Sequence, residues 1–180
     1  TLTLFRLIEN TAEQWMSLDG VSRATLSDSG KLLAAVGMDG SLTLWNVEDR
    51  EPIGEPSPAK GNPGPVFSGD ERLLAVAHFR SVSVIDTLNG KKLGESIPYP
   101  DFVSNVAWSP TGRLLAVCDG QGVCRVYRTS ELPTENEAIT CDSQAQQMLF
   151  VSEEKLFLAT MDGSVRVVNP NTGEDLFDPI

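Results

Sequence analysis

Leu114-Leu115-Ala116-Val117-Cys118-Asp119-Gly120 is the stretch that decides the fold, because variants of it return along the 180-residue chain. A similar aliphatic run surrounds Leu33, Leu74 and Leu158. In chain order, these three leucines and Leu115 are separated by 41, 41 and 43 residues. A fixed period in this range is typical of a protein built from structural repeats.

A second repeat consists of short segments in which apolar and polar residues alternate. Its members are Leu2-Thr3-Leu4-Phe5, Leu42-Thr43-Leu44-Trp45, Val82-Ser83-Val84-Ile85, Cys124-Arg125-Val126-Tyr127 and Val165-Arg166-Val167-Val168. Alternation predicts a half-buried strand, whereas the aliphatic run before each of the last four predicts a strand buried on both faces. Between the two strands lie Asp39-Gly40, Asp119-Gly120 and Asp162-Gly163. These pairs tolerate positive φ and therefore predict tight hairpin turns.

Two further strands complete each unit. One precedes the buried strand, as in Val106-Ala107-Trp108-Ser109, and a weaker outer strand carries its apolar residue at Ile53, Leu93 and Leu176. Four antiparallel strands in roughly 41 residues, without helical periodicity, are typical of a β-propeller blade. The sequence therefore predicts an all-β propeller with an incomplete ring. Its predicted segments are a half blade at 1–20 and full blades at 21–60, 61–100, 101–143 and 144–180.

These residues resemble WD-repeat proteins over nearly the whole chain. Trp108–Ala116 and Asp39–Asn46 are similar to the family's repeat pattern, and Ile53-Gly54-Glu55-Pro56 is similar to the spacer of bacterial members. The resemblance implies a propeller that is part of a larger regulatory or signalling protein. The family's Gly-His pair is absent, because the single histidine is His78. This departure from the family's pattern predicts blades held together by packing more than by the family's buried polar network.

The incomplete ring raises the question of what covers its ends. A half blade would leave apolar sheet faces and strand edges in water, which natural proteins avoid. Three arrangements remain open: the rest of a longer chain, another copy of this chain, or a different protein chain completes the ring.

Composition limits the classes of partner. The formal net charge of −11 and the isoelectric point near 4.4 argue against binding to nucleic acid phosphates or to an acidic membrane surface. No apolar run reaches the length of about 18 residues that a membrane-spanning helix needs, and the first 20 residues show no export signal.

The three cysteines bear on the compartment. Cys118 and Cys124 flank a predicted turn and form either a disulfide or a pair of buried thiols. An odd number of cysteines without a glycosylation sequon favours a reducing interior, and hence free thiols and a cytoplasmic location.

Residues of the hairpin turns and of the loops between blades meet on one rim face of a propeller. The candidate partner-binding residues on that face are Met38, His78, Phe79, Arg80, Tyr99, Asp101 and Phe102. Tyr99 and Phe102 are the main candidates, because aromatic side chains in a proline-stiffened loop are good anchors for a partner. The alternative is that both pack in the seam between blades. His78 is either a solvated turn residue or a pH-responsive contact whose pKa is raised by acidic neighbours.

The repeated carboxylates and glycines of the turns need no chemical role. Turn formation explains Asp39, Gly40, Asp119, Gly120, Asp162 and Gly163 without a metal ring or an acid–base pair. The sequence contains no nucleophile elbow, phosphate-binding loop or zinc-binding helix motif. We therefore expect a non-catalytic scaffold or sensor module that binds a protein or peptide of basic character, with no cofactor and no metal. Two alternatives remain open: a propeller hydrolase or lactonase with a site in the channel, and a self-assembling ring module.

Overall fold

A computed structural model of the chain describes residues 1–8, 11–59, 64–132, 135–141 and 143–178. Within these ranges the regular structure is β-strand, apart from a single turn of 3-10 helix at Thr129–Glu131. The strands form antiparallel sheets in which neighbours along the chain are also neighbours in the sheet. The all-β prediction with four-stranded antiparallel blades is confirmed.

The sheets follow one another along the chain. A two-stranded sheet, the half blade, holds β1 (Leu2–Ile8) and β2 (Thr11–Leu18). The first blade holds β3 (Val21–Leu26), β4 (Leu32–Gly37), β5 (Ser41–Asn46) and β6 (Glu51–Pro58). The second blade holds β7 (Val66–Phe67), β8 (Leu73–His78), β9 (Ser81–Asp86) and β10 (Ile97–Pro98). The third blade holds β11 (Val103–Trp108), β12 (Leu114–Asp119), β13 (Val123–Arg128) and β14 (Glu135–Thr140). The fourth blade holds β15 (Ala145–Ser152), β16 (Lys155–Thr160) and β17 (Val165–Val168).

The outer strand departs from the prediction in two blades. In the second blade, Lys92 forms only an isolated bridge to Ile85, and the outer strand proper is the short β10. In the fourth blade, as far as residue 178, the outer strand is reduced to a bridge between Val168 and Asp175. An outer strand has a neighbour on one side only. The exposed residues around Leu176 therefore gain little from pairing.

The core lies between blades rather than inside them. One buried apolar cluster joins the first and second blades, a second joins the second and third, and a third joins the third and fourth. The four leucines that define the repeat are at most 1% exposed: Leu33, Leu74, Leu115 and Leu158. Removing apolar surface from water drives this stacking, so each blade stabilises its neighbours.

The cysteines correct one expectation. Cys118 on β12 lies directly opposite Cys124 on β13, and the two form a disulfide, while Cys141 is a buried free thiol. The expectation of free thiols at Cys118 and Cys124 is therefore wrong. The expectation of free thiols was the argument for a cytoplasmic location. That argument no longer holds, because disulfides persist mainly in oxidising compartments.

Candidate protein-binding surface

The turns between the second and third strands lie at the same end of each blade, because every blade repeats the same meander. The second residue of each turn is Met38, Phe79, Gly120 or Met161, and successive members are 41 residues apart. Three of these residues have large apolar side chains, and all three are exposed: Met38 to 79%, Phe79 to 67% and Met161 to 61%. The repeat therefore places apolar side chains in solvent at equivalent points of three blades.

The third blade fills this position with a side chain from elsewhere. Gly120 has no side chain, and the ring of Phe102 lies where a Cβ atom on Gly120 would be. Phe102 is 36% exposed, and its ring stacks on Phe79 with 6.4 Å between centroids. We call the set Met38, Phe79, Phe102 and Met161 the apolar crown.

Met161 was missed by the sequence analysis. Its signal was present, because it follows Phe79 by twice the 41-residue period that separates Met38 from Phe79. An apolar residue in a polar turn is a feature that hydrophobic periodicity alone does not select.

The turn of the third blade corrects the predicted roles of Asp119 and Gly120. The glycine with positive φ is Gly122, at 85°, in the place that Gly40 and Gly163 take in the first and fourth blades. Asp119 is fully buried and accepts hydrogen bonds from the N–H groups of Gln121 and Val123, both at 3.0 Å. It is therefore not equivalent to the exposed Asp39.

Asp119 also forms an ion pair inside the third blade. Its carboxylate lies 3.5 Å from the guanidinium of Arg125, which also lies over the ring of Tyr99. A buried carboxylate is costly without such a partner. Arg125 therefore offsets part of the cost of burying the carboxylate of Asp119.

Tyr99 is not on the surface. It is 5% exposed, and its hydroxyl donates a 2.8 Å hydrogen bond to the hydroxyl of Tyr127. The two rings meet edge to face in the cluster between the second and third blades. Of the two alternatives for this aromatic pair, packing in the seam holds for Tyr99, whereas Phe102 reaches the surface. The expectation of Tyr99 as an exposed anchor is wrong because the Ile97–Tyr99 segment is pulled into the interface.

His78 lies at the end of β8, beside a cavity of about 180 Å³. Its Nε2 atom is 2.9 Å from the hydroxyl of Ser83, which in turn is 2.8 Å from the hydroxyl of Ser96. Partial burial, together with the charge of Lys92, lowers the pKa of His78 below its usual value of 6.5. Of the two alternatives for His78, the one in which acidic neighbours raise its pKa is wrong, because burial and then the positive charge of Lys92 both lower it.

Carboxylates lie beside the apolar crown. Asp39 follows Met38 and Asp162 follows Met161, and both carboxylates are exposed. Asp101 precedes Phe102 and accepts a 2.7 Å hydrogen bond from the Phe102 N–H group. Arg80 follows Phe79 and carries a positive charge, unlike these three aspartates. In the fourth blade, a hydrogen bond from the Thr160 hydroxyl, followed by those from Ser164, lowers the pKa of Asp162 to about 2.

Metal-binding groups and membrane-spanning helices are two further features to consider among the residues that the structure describes. Those residues include no group of three His, Cys, Asp or Glu side chains that could hold a metal ion. They also include no helix long and apolar enough to cross a membrane.

Comparison with known proteins identifies the repeat. Residues 16–46 and 91–128 match the family model described as WD domain, G-beta repeat. An uncharacterized WD repeat-containing protein of Synechocystis sp. is 27% identical over 109 residues, which cover 59% of this chain and 31% of that protein. The chain thus spans about a third of the length of this curated relative.

A solved structure shares the fold. A chain of the hydrazine synthase of Kuenenia stuttgartiensis superposes with a TM-score of 0.71 at 19% sequence identity, covering 96% of this chain and 52% of that one. At this identity the likeness concerns the fold alone. Two segments of this chain thus match WD repeats, and the chain is similar in sequence to a WD repeat-containing protein of a cyanobacterium and in fold to a propeller-like structure.

Proposed function

We propose that this chain is a scaffold or sensor module that binds a protein or peptide partner through the apolar crown and catalyses no reaction. The observation that carries the proposal is the exposure of Met38, Phe79 and Met161 at positions 41 residues apart. Large apolar side chains gathered at one end of a soluble domain are characteristic of interaction sites. WD repeats in general mediate contacts between proteins, which supports the same function.

Rigid display is the mechanism that we propose. The blades hold the turns through buried interfaces, so the crown side chains are presented with little backbone entropy to lose on binding. The stacking of Phe102 on Phe79 limits the motion of both rings further.

The experiment immobilises three forms of the chain, namely the wild type, a crown variant and a control variant. It compares the proteins that each form captures from a lysate of the source organism. The crown variant carries Met38→Ser, Phe79→Ser and Met161→Ser. The control variant carries Leu88→Ser, because Leu88 is 86% exposed but lies in the turn at the opposite end of the second blade. Proteins bound by the wild type and the control, and lost from the crown variant, support the proposal. Equal capture by all three variants contradicts it, provided that thermal unfolding shows the variants to be folded.

Completion of the ring by the rest of its own chain or by another copy belongs to the same proposal. It is supported by the face of β15 that points away from the third blade, where Leu149 and Val151 are 62% and 61% exposed. Light scattering over a range of concentrations tests association between copies. A cytoplasmic location is not part of this proposal, because Cys118 and Cys124 form a disulfide and the cytoplasm keeps most thiols reduced.

A further inference from the structure

The chemistry of the apolar crown's immediate neighbours points to a class of partner. Three of its four side chains have an aspartate next to them in sequence: Met38 has Asp39, Phe102 has Asp101 and Met161 has Asp162. Asp19 is also exposed in the turn whose Gly20 carbonyl accepts the N–H of Met38. The first, third and fourth blades therefore each place a carboxylate beside an apolar side chain of this surface.

These carboxylates are held in place by the turns. One oxygen of Asp39 accepts the N–H and the hydroxyl of Ser41 at 2.9 and 2.7 Å. One oxygen of Asp162 accepts the N–H of Ser164 at 3.0 Å. Together with the hydroxyl of Thr160, these donors lower the pKa of Asp162 from 3.8 to about 2, so its negative charge persists to a lower pH than that of an ordinary aspartate. The charges are thus fixed features of the surface rather than mobile side chains.

We infer that the apolar crown binds a basic amphipathic segment of a protein, in which large apolar side chains alternate with lysine or arginine. This inference rests on the proposed function, because it names the partner of the same surface. The apolar side chains of the segment would bury Met38, Phe79, Phe102 and Met161, while its cations would meet the aspartates. An acidic segment would place like charges together, in a chain that already has a net charge of −11.

Arg80 makes the sign of the charge beside the apolar crown differ between blades. It follows Phe79 in the turn of the second blade, between the acidic turns of the first and fourth blades. A bound segment is therefore expected to carry lysine or arginine opposite the first and fourth blades, and a neutral or acidic residue opposite the second. Arg80→Asp should strengthen the binding of a uniformly basic segment.

The test begins with a random peptide library displayed on phage and selected on the immobilised wild-type chain. We expect the enriched peptides to combine large apolar residues with a net positive charge. Affinities of a synthetic enriched peptide are then measured by fluorescence anisotropy. The charge-neutral variant is Asp39→Asn, Asp101→Asn and Asp162→Asn, in which the amide oxygens can still accept the hydrogen bonds of the turns.

The inference predicts a loss of affinity of about tenfold or more in both the charge-neutral and the crown variants, and no loss with Leu88→Ser. It also predicts that added salt weakens wild-type binding more than binding to the charge-neutral variant. Enriched peptides that are neutral or acidic, yet lost from the crown variant, would overturn the inference and leave the proposed function standing. Peptides that bind the crown variant as tightly as they bind the wild type would contradict both the inference and the proposed function. A selection that enriches nothing over the bare support also counts against the inference.

Discussion

The carboxylate of Glu71 in the second blade accepts hydrogen bonds from the backbone N–H and from the hydroxyl of Ser29 in the first blade, the second at 2.6 Å. Glu153 repeats the contact between the fourth and third blades, where it accepts the N–H and the hydroxyl of Thr111 at 2.9 and 2.7 Å. The pairs are 42 residues apart in both cases. This clasp joins neighbouring blades at the surface, beside the buried clusters that supply most of the stabilisation.

The clasp at Glu71 predicts a loss of stability at acidic pH. The Ser29 hydroxyl is the main cause that lowers the pKa of Glu71 below its usual value of 4.5. A lowered folded-state pKa means that the contribution is present above about pH 4.5 and is lost as the pH falls through the folded-state pKa. Glu71→Gln should lower the free energy of unfolding at pH 7 by about 0.5 kcal/mol, a small effect because the site is exposed. Urea titrations of both proteins from pH 7 to pH 3 should show the difference shrinking, whereas a difference independent of pH contradicts the prediction.

The core leucine of the third blade should be far more sensitive. Leu115 is fully buried between the second and third blades, so Leu115→Ala leaves a cavity that neighbouring blades cannot close. We expect it to lower the free energy of unfolding by about 2–5 kcal/mol. Leu88→Ala, at an exposed position, is the matched control and should change it by less than about 0.5 kcal/mol. Equal effects in chemical denaturation would mean that stacking between blades is not the source of stability.

Because Phe102 and Gly120 are in contact, mutations at the two positions should have non-additive effects on the free energy of unfolding. A methyl group on Gly120 would overlap the ring of Phe102, so Gly120→Ala must displace the ring from its stack on Phe79. We expect a cost of about 1–3 kcal/mol for Gly120→Ala in the wild-type background. The cost should be smaller in a Phe102→Ala background, where the obstruction is gone. A double-mutant cycle that shows simple additivity would contradict this arrangement.

The disulfide predicts the outcome of a thiol titration. After denaturation without reductant, one of the three cysteines should react with a thiol reagent, and peptide mapping should identify it as Cys141. After reduction all three should react. Detection of three reactive thiols in protein purified without reductant would contradict the Cys118–Cys124 bond and would favour a reducing compartment.

The locations of the strands could be predicted because the signals are local. Alternation in Leu42–Trp45 and the continuous apolar run around Leu115 specify half-buried and fully buried strands within a few residues of chain. The exposure of side chains in the turns could not be predicted in the same way. Phe79 and Tyr99 are both aromatic residues of loops at the same rim, yet one is 67% and the other 5% exposed.

The sequence by itself determined the repeat, its all-β blades and the order in which they stack, because a periodic apolar pattern forces each sheet to bury its faces against the next. Only the tertiary structure decided which turn residues form a surface. Phe102 belongs to the apolar crown because Gly120 of the same blade leaves room for its ring, and Asp119 is buried because Arg125 can reach it. These outcomes depend on how side chains of neighbouring turns and strands meet in space, and the alternation of apolar and polar residues does not encode them.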